Sequence, residues 1–144
     1  MKIKYLKFKN WLLATIAGLL GVNMSSCELV AMEYGCPSAN FNVKGKVTDP
    51  QGNPIPGIQV TGNWDNDITN ASGDYSLSAT ADPPYPEDTI QIVFADVDSS
   101  ENGSYRNDTA SVVFRHSDLT GGDGHWFEGS ATKTLNVTLQ RVEE

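Results

Sequence analysis

The chain has 144 residues, enough for one domain with additional segments, and 19% of them are charged and 9% aromatic, as in globular proteins. All 18 acidic residues lie at or after Glu28, whereas four of the ten basic residues lie within the first ten positions. An exported form beginning at Cys27 would therefore be strongly acidic, and such a surface repels nucleic-acid phosphates and anionic lipid, so we expect no nucleic-acid partner.

Residues 1–26 have the parts of a bacterial export signal. Residues 1–10 are basic, and the apolar run Trp11–Val22 is too short for a comfortable membrane span. Met24-Ser-Ser-Cys27 resembles the lipobox of a lipoprotein signal, with Met24 where Leu is usual. We therefore predict a signal helix over 1–26 and lipidation of Cys27 by diacylglycerol and an acyl chain such as palmitate, because more than one chain anchors durably. An ordinary secretory signal with an incidental Cys, or a retained membrane anchor, are the alternatives.

Residues 27–40 are predicted to form the lipidated Cys and a short tether. With Cys27 lipidated, Cys36 is the one thiol left over, which is unusual in an exported protein. Met32-Glu-Tyr-Gly-Cys-Pro37 resembles a segment of radical SAM-associated lipoproteins of Gram-negative bacteria. That resemblance implies a radical SAM enzyme as a partner and Cys36 or its neighbours as a modification target. The alternative is a plain linker that Gly35 and Pro37 turn.

The stretch from Phe41 to Leu77 predicts strands separated by tight turns. Alternation of apolar and polar residues over 41–48 is typical of a half-buried strand. Asp49-Pro-Gln-Gly52 is turn chemistry, since Pro50 fixes φ and Gly52 can adopt a positive φ. Further alternation follows on either side of a second turn at Ala71–Asp74.

Two patterns in this stretch carry a family resemblance. G-x-V-x-D-x-x-G-x-P-I-x-G-x-x-V matches Gly45–Val60, and T-x-x-x-G-x-Y-x-L matches Thr69–Leu77. Together they resemble the carboxypeptidase regulatory-like, or transthyretin-like (prealbumin-like), domain. The resemblance implies an all-β, seven-stranded Greek-key sandwich over 41–144. It also implies an accessory, binding or spacer module with no catalysis, so we expect a protein that is not an enzyme.

The second half supplies the remaining predicted strands. Alternation predicts strands around Ile90–Phe94, Ala110–Phe114 and Thr132–Leu139. The proline-rich Thr80–Asp88 and the glycine-rich Leu119–Gly129 are predicted loops. About seven short strands separated by turns favour a β-sandwich.

A possible cation site follows the strand at Ile90–Phe94. Asp96, Asp98 and Asn102 place oxygen ligands at alternate positions, as Ca²⁺ requires. Asp118 or Asp123 from the glycine-rich loop could complete such a site. The alternative is that these residues are the ordinary composition of a hairpin loop. We expect no other cofactor.

Two further features suggest binding or modification. Thr89 and Thr109 each follow an Asp and precede an apolar residue, which resembles the O-glycosylation acceptor of some Gram-negative envelopes; strand-edge positions are the alternative. Several aromatic residues fall in or near predicted loops, where they could stack on sugar rings or cover the ends of the core: Trp64, Tyr85, Tyr105, Trp126 and Phe127. His116 and His125 do not have the spacing of a metal site.

The sequence therefore predicts a lipid-anchored protein of a Gram-negative cell envelope with a non-catalytic sandwich that binds a partner protein or a glycan, or acts as a spacer. Glu28 is not the Asp that retains lipoproteins at an inner membrane, so the outer membrane is favoured, facing the periplasm or the surface. The alternatives are a substrate of a radical SAM maturation enzyme modified near Cys36, and a carbohydrate-binding module.

Overall fold

The computed structural model describes residues 35–98 and 101–143. The predicted signal 1–26, Cys27 and the tether up to residue 34 lie outside the described residues, so those predictions stay predictions. In the described ranges no helix is long and apolar enough to cross a membrane.

The described residues form nine strand segments and one short 3-10 helix at His116–Asp118. The strands are β1 (Ser38–Thr48), β2 (Ile58–Thr61), β3 (Asn66–Ile68), β4 (Asp74–Ala81), β5 (Glu87–Asp96), β6 (Asp108–Arg115), β7 (Thr120–Gly121), β8 (Phe127–Thr134) and β9 (Val137–Thr138). The prediction of an all-β protein is confirmed. The structure has two strands more than the predicted seven. The strands β3, β7 and β9 span only two or three residues, too few to show alternation in the sequence.

The strands form two sheets. The first sheet has the order β4-β1-β8-β7, and β9 pairs with β1 where β8 has ended; the second sheet has the order β3-β2-β5-β6. β1 is the centre of the first sheet, antiparallel to β4 and parallel to both β8 and β9. The strand predicted over Thr132–Leu139 is thus two strands, since residues 135 and 136 leave the ladder.

One hydrophobic core contains residues from both sheets. Buried and more exposed residues alternate along β1: Phe41 and Val43 are buried, and the residues on either side of each are not. The rings of Tyr75 and Phe94, one from each sheet, meet edge to face at 5.6 Å, a favoured aromatic geometry. Other fully buried side chains are Val47, Ile55, Ile58, Val60, Ile90, Ile92, Phe114 and Leu139.

The end of the sandwich that contains the tight turns is called the turn end here, and comprises residues 47–57 and 69–73. Asp49 Oδ1 accepts the backbone N–H groups of Gln51 and Asn53, at 2.9 and 2.8 Å. Thr69, which is 3% exposed, donates its hydroxyl to the Ile55 carbonyl and accepts the Ile58 N–H. These contacts satisfy backbone groups where the strands stop.

The opposite end is called the tether end, because β1 enters the sandwich there. It comprises Ser38, residues 83–87, His116 and residues 126–128. The Ser38 N–H donates to the Trp126 carbonyl at 2.7 Å. β1 thus begins at Ser38, whereas the sequence placed residues up to Asn40 in the tether.

Candidate functional site

A cluster of Tyr85, His116 and Glu128 lies at the tether end. The Tyr85 hydroxyl donates to the Glu128 carboxylate, at 2.7 Å from Oε1 and 2.9 Å from Oε2. The His116 Nε2 atom is within hydrogen-bond distance of Glu128 Oε2. The Tyr85 and His116 rings stack, with centroids 4.7 Å apart and planes 27° apart. Each side chain is therefore held by the other two.

The backbone brings these three residues together from distant parts of the chain. Tyr85 follows two prolines, Pro83 and Pro84, that are themselves buried, and it precedes β5. His116 begins the 3-10 helix after β6, and its N–H donates to the Pro86 carbonyl at 3.1 Å. This bond ties the Tyr85 loop to the end of β6.

Glu128 reaches the cluster because of a bulge in β8. Ser38 pairs with Phe127 and Ala39 pairs with Gly129, so Glu128 is an extra residue opposite this step of β1. A bulge turns the extra side chain away from the regular alternation of its strand. In this case it directs the carboxylate to Tyr85 and His116, which lie at the end of the second sheet.

The electrostatics of the cluster favour fixed protonation states. The hydrogen bond from Tyr85 and then that from His116 lower the pKa of Glu128 below its ordinary value, and the bond to Glu128 raises the pKa of Tyr85. A carboxylate with a lowered pKa is a weak base, and a phenol with a raised pKa is a weak nucleophile. The arrangement suits holding a ring in place better than transferring a proton.

Tyr85 is also the most exposed aromatic side chain of this region. It is 66% exposed, so the ring face away from His116 is open to solvent. Trp64 is 37% exposed and packs on Phe41 and Phe114, with ring centroids 5.7 and 6.2 Å away. Trp64 thus covers the core, which was one of the two interpretations of the loop aromatics. Tyr85 instead presents one open ring face to solvent.

The other predicted loop aromatics divide in the same way. Trp126 is 50% exposed, whereas Tyr105 is 6% exposed and belongs to the core. Tyr105 is held by its N–H, which donates to Asp96 Oδ2 at 2.8 Å, and by the Arg141 guanidinium over its ring. It does not contribute to an exposed surface.

Two ion pairs lie beside the cluster. Arg115 Nε is 3.0 Å from Glu87 Oε2, and Lys133 Nζ is 2.6 Å from Asp118 Oδ2. The hydrogen bond from Lys133 is the main cause of a lowered pKa of Asp118. Asp118, which the sequence suggested as a further cation ligand, is thus already paired with Lys133.

The predicted cation ligands are engaged with protein groups. The Asn102 amide donates to Asp98 Oδ2, while Asp96 Oδ2 accepts the Tyr105 N–H and Asp96 Oδ1 is buried without a hydrogen-bond partner. In residues 35–98 and 101–143 no three His, Cys, Asp or Glu side chains come close enough together to hold a metal ion. The Ca²⁺ hypothesis gains no geometric support from this part of the chain.

The predicted modification sites are accessible where the structure describes them. Cys36 is an exposed free thiol two residues before β1. Thr89 lies on β5 and Thr109 on β6, both exposed. Their register partners are Val113 and Val93, respectively, so the two threonines occupy separate rungs of the ladder.

Sequence reasoning identified Tyr85 as an aromatic candidate but missed its partnership with Glu128. The cluster combines residues 43 and 12 positions apart from Glu128. No local motif signals such a contact. A bulge beside Gly129 is the one feature that a strand pattern could have suggested, because glycine within a strand often marks a bulge.

No protein-family model matches the sequence, and no curated protein matches it.

Proposed function

We propose that this protein is anchored through a lipid on Cys27 in a Gram-negative cell envelope, at the outer membrane, and that its sandwich is a non-catalytic module that binds a glycan at Tyr85. The observation that carries the binding proposal is the exposed Tyr85 ring, fixed by Glu128 and His116. An aromatic ring that is already held in one orientation loses little conformational entropy when a ligand stacks on it.

The chemistry of this surface fits a sugar ring. The apolar C–H face of a pyranose packs on the open face of an aromatic side chain. The ionised Glu128 lies beside the Tyr85 hydroxyl at the edge of the ring, where it can accept hydrogen bonds from sugar hydroxyls. A partner protein that inserts an apolar side chain at Tyr85 is the competing occupant.

The finer fold assignment belongs to this proposal. We assign the sandwich to the seven-stranded Greek-key, transthyretin-like type, with the two-residue strands β7 and β9 as short additions. The support is that Gly52, Gly57 and Gly73 of the matched pattern have φ values of 85°, 79° and 74°. Positive φ explains why the pattern has glycine at these positions.

A glycan-binding assay tests the Tyr85 proposal. The full-length protein, solubilised in a detergent without a sugar headgroup, is applied to an array of immobilised envelope glycans. We expect wild-type protein to bind at least one glycan and Tyr85→Ala to weaken it about tenfold, a typical loss for one aromatic contact. Trp64→Phe, which alters an aromatic ring packed on the core, is the matched control and should bind like wild type. Equal binding by Tyr85→Ala would refute the site.

The anchor is tested by the intact mass of protein extracted from membranes of its own host. A mass equal to residues 27–144 plus an acylated glycerol supports lipidation, and Cys27→Ala should abolish membrane extraction of that species. Recovery of an uncut or unlipidated wild-type protein would contradict it.

The exposed thiol of Cys36 favours one second candidate, a substrate of a radical SAM maturation enzyme. The same mass spectrum tests it. A further mass increment that disappears in Cys36→Ala supports modification there, whereas increments that disappear in Thr89→Ala or Thr109→Ala support O-glycosylation. A wild-type mass without any increment beyond the lipid excludes all three modifications in that host.

A further inference from the structure

A second surface, separate from Tyr85, lies on the outer side of the first sheet. The registers of β1 with β4 and β8 place side chains in rows across three strands. Because Phe41 and Val43 of β1 face the core, the residues between and beyond them face outward. The rows are Thr80–Asn40–Ser130, Ser78–Asn42–Thr132 and Ser76–Lys44–Thr134.

Two open grooves lie on this face. The larger, of about 640 Å³, is lined by Lys44, Gly45, Lys46 and Thr48 of β1, by Asp74–Ser76, and by Thr134 and Asn136. A second groove of about 460 Å³ continues along the same face beside Asn40 and Asn42. Together the two grooves follow β1 over most of its length.

The larger groove results from the interruption between β8 and β9. The Leu135 N–H donates to the Lys44 carbonyl, and the Lys46 N–H donates to Asn136 Oδ1 instead of to a backbone carbonyl. Gly45 lies beneath this interruption, where a Cβ atom would overlap the Leu135 carbonyl oxygen. The interruption is therefore held in place by contacts of the sheet itself.

Hydrogen-bonding groups on this face are available to a ligand. Thr80 donates its hydroxyl to Asn40 Oδ1 at 2.7 Å. Within the described ranges, no side-chain hydrogen bond to protein is made by Asn42, Ser76, Ser78, Thr132 or Thr134. Hydroxyl and amide groups donate and accept hydrogen bonds, as the hydroxyls of a sugar chain do.

Two lysines, Lys44 and Lys46, and one carboxylate, Asp74, line the larger groove. Lys44 forms no ion pair with any residue of the described ranges, while Lys46 pairs with Asp74 at 3.5 Å. Arg115 and Lys133 are paired with carboxylates beside the Tyr85 cluster, whereas Arg106, outside the groove, resembles Lys44 in forming no ion pair within the described ranges. A ligand acid group at Lys44 would find a cation that the protein has left without a counter-charge.

We propose that this face binds an acidic oligosaccharide along β1, with sugar hydroxyls on the Asn, Ser and Thr side chains and a ligand carboxylate or phosphate at Lys44. The site goes beyond the glycan contact assigned to Tyr85 and does not require it, since the two surfaces share no residue.

Calorimetric titration of the full-length protein, in a detergent without a sugar headgroup, tests this proposal with two probes. Tetragalacturonate carries carboxylates, and maltotetraose is a neutral chain of the same number of sugars. We expect wild-type protein to bind tetragalacturonate, and to bind maltotetraose at least about tenfold more weakly, because one charge-assisted contact is lost.

Four variants separate the parts of the proposal. Lys44→Gln should weaken tetragalacturonate binding about tenfold, and Thr132→Val, at an uncharged position in the row of Ser78 and Asn42, about threefold. Arg106→Gln removes an exposed cation outside the groove and should have no effect, and neither should Tyr85→Ala. Absence of binding, equal binding of the neutral probe, or an unchanged Lys44→Gln would overturn the acidic-glycan site. If Thr132→Val binds with wild-type affinity, the proposed site is reduced to a simple ion pair at Lys44. If Tyr85→Ala loses binding, the ligand binds at the Tyr85 surface instead.

Discussion

The two ends of the sandwich are stabilised by different kinds of contact. At the turn end, side chains bond to backbone groups: Asp49 Oδ1 accepts the Asn53 N–H, and Thr69 donates its hydroxyl to the Ile55 carbonyl. At the tether end, Tyr85, His116 and Glu128 bond to one another through their side chains, and Tyr85 and His116 are exposed. Buried, backbone-directed contacts contribute to stability, while an exposed side-chain cluster is available for binding. We therefore expect substitutions at the turn end to cost stability and substitutions at the tether end to change binding.

The largest expected effect is at the turn end, in Gly73→Ala. Gly73 has φ of 74°, and an added Cβ atom would lie 2.5 Å from the Val47 carbonyl oxygen and 3.0 Å from Pro54 Cβ. The left-handed backbone and the steric overlap together should reduce the free energy of unfolding by about 3 kcal/mol. Chemical denaturation monitored by tryptophan fluorescence measures this loss.

Gly52→Ala is the matched control for that substitution. Gly52 also has a positive φ, of 85°, but nothing lies within 4 Å of an added Cβ. Only the backbone strain remains, so a loss of about 1 kcal/mol is expected. If both variants lose the same free energy, the close packing of the turn end against Val47 does not contribute as we argue.

The next largest effect is expected for Thr69→Val. The substitution keeps the shape of the side chain but removes the hydroxyl that joins the Ile55 carbonyl at 2.7 Å and the Ile58 N–H at 2.9 Å. Two buried backbone groups would lose their partner, at a cost of about 2 to 3 kcal/mol in the free energy of unfolding. Thr61→Val, at an exposed position of β2, should be nearly neutral. A neutral Thr69→Val would show that water replaces the hydroxyl.

The sequence predicted the turn end far better than the tether end, for a physical reason. Glycine, proline and Asp49 act on backbone dihedrals and hydrogen bonds within a few residues, so their types reveal the turns directly. Alternation along β1 likewise revealed which side chains are buried, and hence the all-β class. The bulge at Glu128 and the break between β8 and β9 depend on registers with β1, which no local pattern specifies.

The candidate sites also divide into features that the local sequence predicts and features that depend on strand pairing. Tyr85 could be identified as a loop aromatic, but its exposure depends on Trp64, rather than Tyr85, covering the core. The outward rows along β1 required the pairing of three strands that are far apart in sequence. Asp96, Asp98 and Asn102 have the composition of a cation loop, yet Asp96 Oδ2, Asp98 Oδ2 and the Asn102 amide each bond to a protein group.

The smallest effect on stability is expected at the tether end, in Tyr85→Phe, which removes the hydroxyl but keeps the ring. Because the bond from Tyr85 is the main cause of the lowered pKa of Glu128, that pKa should rise toward its ordinary value of 4.5 in the variant. Two-dimensional NMR of the side-chain carboxyl during an acid titration measures the change. His116→Gln, which removes the second cause, should raise the pKa of Glu128 by less.

The pH dependence of stability gives an independent test of the same contact. A carboxyl whose pKa is lowered by folding contributes stability above its unfolded pKa, and the contribution is lost as the pH falls through the folded pKa. Wild-type protein should therefore lose more stability than Tyr85→Phe between about pH 5 and pH 3. The raised pKa of Tyr85 acts in the opposite range, because its contribution is lost as the pH rises above 10. Parallel unfolding curves of the two proteins in both ranges would mean that the Tyr85–Glu128 bond does not persist in solution, and the Tyr85 ring would then lack the fixed orientation on which the binding proposal depends.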